Sequence, residues 1–67
     1  MLFDVYGRHR ILIDDECSAW LVDQDGKKSR IDALVIPSDA DGDEISDLLD
    51  VAFHEHARPG DKVIQIS

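Results

Sequence analysis

The chain has 67 residues, with 15 acidic and 7 basic side chains for a net charge of −8, and a single cysteine, Cys17. One cysteine excludes an internal disulfide, and no stretch reads as a secretory leader or membrane span, so the expectation is one domain in a reducing cytoplasm. The acidity disfavours nucleic acid and anionic membrane as partners, and a domain this small is marginally stable unless a partner chain adds buried surface.

Residues 1–14 (MLFDVYGRHRILID) alternate without a break: Phe3, Val5, Gly7, His9, Ile11 and Ile13 share one parity, and Leu2, Asp4, Tyr6, Arg8, Arg10 and Leu12 the other. Because the phase survives Gly7, the pattern predicts one long strand, bent or bulged at the glycine, rather than a hairpin. Asp14-Asp15-Glu16 is a polar break. Cys17 to Asp23 reads as a second strand, rich in aromatic and branched residues. Asp25-Gly26 then signals a hairpin turn, since glycine accepts positive φ. Lys28 to Ile36 is the expected third strand, stopped by Pro37.

Asp41 to Ala57 carries the clearest period. Ile45, Leu48, Leu49, Ala52 and Phe53 follow the i, i+3, i+4, i+7, i+8 series of a helix that buries one stripe. Asp41 suits the N-cap, with Glu44 three residues on, and Pro59-Gly60 stops the helix. Extrapolating the period places His56 in the buried stripe and His54 opposite it. Lys62 to Ile66 forms a last short strand, expected beside the N-terminal half of the first. The predicted fold class is α+β: β-β-β-α-β over residues 1–67, an antiparallel sheet with one amphipathic helix packed on one face.

Two surfaces stand out as candidate interaction sites. The predicted strands are apolar on both parities, yet one helix can cover only one face of a sheet. Leu2, Tyr6, Leu12, Trp20, Val22, Leu34 and Ile36 are assigned to the uncovered face, which points to a homodimer or a protein partner there. The second surface is acidic. No Lys or Arg lies between Arg30 and Arg58, while Asp32, Asp39, Asp41, Asp43, Glu44, Asp47, Asp50 and Glu55 do, so this interval accounts for the whole net charge. Asp43, Glu44, Asp47 and Asp50 on the helix form a candidate face for a basic partner.

Residue patterns that suggest chemistry do not hold up. His54 and His56 are two apart on a helix and cannot share one metal ion, for which i, i+4 spacing is required. Asp39, Asp41 and Asp43 resemble the opening of a calcium loop, but position six is Glu44 where glycine is needed and position twelve is Asp50 where Glu is needed. Cys17 has acids before it and no base nearby, which disfavours the thiolate. Arg8 and Arg10 share a strand face with Tyr6, an arrangement that can bind single strands, but the net charge opposes it. No catalytic residue, metal or cofactor is assigned, and no enzyme activity is expected.

Phe3-Asp4-Val5-Tyr6-Gly7-Arg8, Val35-Ile36-Pro37 before an acidic helix, Phe53-His54-Glu55 near the helix end, and Pro59-Gly60 before a last strand are carried along most of the chain. In these features it resembles a family of small bacterial proteins of uncharacterised function. The resemblance implies an α+β fold and supplies no activity or ligand. The expected function is therefore a non-catalytic acidic interaction protein that self-associates through the uncovered sheet face. The alternatives are an inhibitor or antitoxin-like protein binding a basic surface through residues 41–57, or a metal- or small-ligand-binding module.

Overall fold

The first fourteen residues fold back on themselves. In the computed structural model, which describes residues 1–67, β1 (Leu2–Val5) and β2 (His9–Ile13) pair antiparallel, Leu2 opposite Leu12 and Val5 opposite His9. Tyr6 and Gly7 turn the chain in the left-handed region, at φ +60° and +70°. Arg8 N–H donates to the Val5 carbonyl at 3.1 Å and Gly7 N–H to the Asp4 carboxylate at 3.1 Å. This replaces the single bent strand predicted from the unbroken alternation. Three residues connect the strands, so every paired residue shares its partner's parity, and the phase survives a full reversal of direction.

β3 (Ala19–Val22) pairs antiparallel with β2, Leu12 facing Trp20, and β4 (Lys28–Arg30) pairs with β3, Trp20 facing Arg30. Between β2 and β3, Asp14 accepts the backbone N–H groups of Glu16 and Ser18, both at 2.9 Å. Asp23 does the same for Asp25 and Lys27 in the next turn, both at 2.9 Å, where Gly26 takes φ +84°.

The predicted third strand, 28–36, is cut short: β4 ends at Arg30 and the chain leaves the sheet. Leu34 N–H donates back to the Ile31 carbonyl at 3.3 Å, and the segment delivers Ile36 into the core with Ile31 and Leu34 packed against it. Apolar residues of both parities here serve one core, not two sheet faces.

α1 (Gly42–Phe53) starts as its sequence dictates, with Asp41 at the N-cap accepting the Glu44 N–H at 2.9 Å. It is shorter than the predicted 41–57, because the chain tightens into a 3-10 turn over His54–His56. The tighter winding changes the angular phase, and His56, expected on the buried stripe, is exposed. β5 (Val63–Gln65) returns antiparallel beside β1, Val63 opposite Val5, as expected. The sheet order is β4-β3-β2-β1-β5, and the fold is α+β with one more strand than predicted. Ile45 and Leu49 of α1 are fully buried with Phe3, Val5 and Ile11, and Tyr6, Ile13, Ala19 and Ile36 complete the core.

Candidate functional site: the open face of the sheet

Since α1 packs on the odd-numbered side of β1 and β2, the even-numbered residues of these strands point the other way. Cross-strand pairing sets Leu2, Leu12, Trp20 and Arg30 in one row on that side. The chain end extends it: Leu2 N–H donates to the Ser67 carbonyl at 3.0 Å and Ile66 N–H to the Leu2 carbonyl at 2.7 Å, which brings Ile66 beside Leu2. A second row runs Ile64, Asp4, Arg10, Val22, Lys28. Leu2, Leu12, Trp20 and Val22 are half-buried, while Ile64 is 55% and Ile66 48% exposed. No element of the fold lies over these rows.

The indole of Trp20 is fixed by its Nε1–H, which donates to Asp14 Oδ2 at 2.9 Å. That hydrogen bond, followed by the one from the Ser18 backbone, holds the Asp14 carboxyl below its usual pKa. The charges on this face are nearly balanced, with Asp4 and Asp14 against Arg10, Lys28 and Arg30. Lys28 and Arg30 line its β4 edge, and Arg30 reaches Asp32 at 3.3 Å.

Of the residues assigned to the uncovered face from the sequence, the structure brings together Leu2, Leu12, Trp20 and Val22. Tyr6, Leu34 and Ile36 lie elsewhere, on the helix side. Tyr6 is buried and its hydroxyl donates to Asp50 Oδ1 at 2.6 Å. Sequence reasoning missed Ile64 and Ile66, because their membership depends on β5 pairing with β1, a contact across the whole length of the chain. The alternation of Val63-Ile64-Gln65-Ile66 was the available signal.

The helix acids Asp43, Glu44, Asp47 and Asp50 are exposed, and none forms an ion pair. Arg8 pairs instead with Asp61 at 3.0 Å and donates to the His56 carbonyl at 2.7 Å, tying the β1–β2 turn to the loop before β5. No three His, Cys, Asp or Glu side chains converge as a metal site would require. His9 is stacked on Phe53, ring centroids 5.5 Å apart. No helix is long and apolar enough to cross a membrane.

Comparison with known proteins gives no match among curated proteins and none among solved structures. A family model does match, and it spans residues 1–67, the whole chain. The chain belongs to the family described as domain of unknown function DUF7661.

Proposed function

We propose that this chain is a non-catalytic interaction protein that forms a homodimer by pairing the open sheet faces of two copies. One observation carries the reading: the apolar row Ile66-Leu2-Leu12-Trp20, with Ile64 and Val22 beside it, lies on the face that α1 does not cover. Burying a large apolar side chain is favourable by roughly 1.5–3 kcal/mol when it is fully exposed beforehand. Several partly exposed ones matter to a domain whose own core supplies only about 3–5 kcal/mol. Through Ile64 and Ile66, the segment paired beside β1 enlarges this face.

A second copy is the occupant that the charges favour. Two molecules of net charge −8 repel, and the open face is where that repulsion is weakest, because Arg10, Lys28 and Arg30 offset Asp4 and Asp14. A two-fold axis lets each of these signs meet its opposite on the partner. The single cysteine is consistent with a reducing cytoplasm as the setting.

Trp20 is the only tryptophan, so its emission reports on this face directly. We expect blue-shifted emission for the protein at high concentration. The Ile64→Lys, Ile66→Lys double variant, altered at two exposed positions, should show the red-shifted emission of a wetter indole with unchanged far-ultraviolet dichroism. Identical emission from the two proteins at every concentration would remove the proposal.

A further inference from the structure

On the helix side of the sheet, the segment after β4 and the C-terminal half of α1 leave a second apolar surface. Ile31, Ala33 and Leu34 on one wall and Ala52 and Phe53 on the other line a solvent-open notch of about 370 Å³, and no polar or charged side chain lines it. Next to it in the chain, Val35 is 79% and Val51 77% exposed. A volume of this order accepts a large apolar side chain.

The surroundings of the notch are acidic, and only Asp32 among these acids is paired, with Arg30 at 3.3 Å. Helical spacing sets Glu44 on the same flank as Leu48 and Ala52. Asp32 stands between Ile31 and Ala33. No Lys or Arg occurs from residue 31 to residue 57, and no helix carboxylate has an ion-pair partner. An apolar notch set in a field of one sign selects a ligand with an apolar anchor and the opposite charge around it.

We infer that this notch is a docking site for a basic amphipathic segment of another protein, which inserts a leucine- or phenylalanine-type side chain between Leu34 and Ala52 and sets Lys or Arg against Glu44. Nucleic acid lacks the anchor and is repelled. A second copy of this chain carries the same net negative charge. The inference is independent of the sheet-face pairing, which uses the opposite side of the molecule, so both surfaces can be occupied at once.

The probe is a labelled synthetic peptide with leucines at i, i+3, i+4 and i+7 and lysines elsewhere, titrated with the whole chain and followed by fluorescence anisotropy. A scrambled peptide of the same composition measures attraction by bulk charge alone. The ordered peptide is expected to bind about tenfold tighter than the scramble, the scale of one good buried anchor. Ala52→Glu, which puts a carboxylate into the notch at an exposed helix position, should erase that margin, as should Ala33→Asp on the facing wall if Ala52→Glu melts early. Ile64→Lys with Ile66→Lys should preserve it. Equal affinity for the two peptides, or a margin that survives both notch variants, overturns the assignment. A fall in self-associated mass on Ala52→Glu also overturns it, since the occupant would then be a second copy.

Discussion

Tyr6 shows how much one side chain settles in so small a domain. Its backbone sits at φ +60°, uncommon for a residue with a Cβ. The turn this creates lets the ring enter the core and its hydroxyl meet Asp50 on α1 at 2.6 Å, with the Arg8 guanidinium 5.7 Å from the ring centre. Neighbouring residues of the Phe3–Arg8 stretch divide the remaining work: Phe3 and Val5 fill the core, Asp4 caps the turn at Gly7, and Arg8 reaches Asp61. The hydrogen bond to Asp50, then burial and the charges of Asp50 and Asp61, push the Tyr6 hydroxyl up to about 12 from 10.0. A raised pKa means that the protonated phenol favours the fold. Its contribution is therefore complete below pH 10.0 and is lost as pH climbs towards 12. Tyr6 is the only tyrosine, so tyrosinate absorbance should titrate near 12 in the native protein. It should titrate distinctly lower in urea or in Asp50→Ala. A native midpoint at the ordinary tyrosine value would show that the contact is not made.

Asp14 provides the acid counterpart. Its carboxyl is held below 3.8, first by the Trp20 indole, so its contribution is present above that value and disappears as pH falls through the lower native one. Trp20 emission should change in that acid range, and Asp14→Asn should abolish the transition. A wild-type emission that stays flat across that range would count against the Trp20–Asp14 contact.

At the scale of elements, α1 rests on one cap and one buried stripe. Asp41→Ala removes the acceptor for the Glu44 N–H and should lower stability by about 1 kcal/mol in urea unfolding. Leu49→Ala empties the fully buried centre of the stripe and should cost roughly 2–5 kcal/mol, enough to leave much of the chain unfolded. A Leu49→Ala protein with the wild-type urea midpoint would mean that the helix is not seated on this core. α1 and its cap were legible in the sequence because a 3.6 period and an N-cap are local properties. The β1–β2 hairpin was not, because a three-residue connection preserves parity and so mimics a continuous strand. Residues 31–36 misled for a related reason. Alternation describes faces only while a chain remains in a sheet, and here Ile31, Leu34 and Ile36 turn in under the helix instead. Of the open face, the part on β1, β2 and β3 could be read from parity, whereas Ile64 and Ile66 join it only through pairing across the whole length of the chain.

Taken as one body, the molecule is polar in charge and two-sided in grease. The acids lie on α1 and its approach, and the nearly neutral, apolar sheet face looks the other way. Salt should therefore act oppositely on the two proposed contacts. By screening the repulsion between two chains of net charge −8, it should leave face-to-face pairing intact or strengthen it, while weakening a basic segment's hold on the notch. The pairing of open faces is the claim on which the functional reading stands, and sedimentation equilibrium over a wide range of protein concentration addresses it with least interpretation. We expect a mass rising to twice 7.5 kDa, with added salt favouring the heavier species. A single species of 7.5 kDa at every concentration and salt level would contradict it.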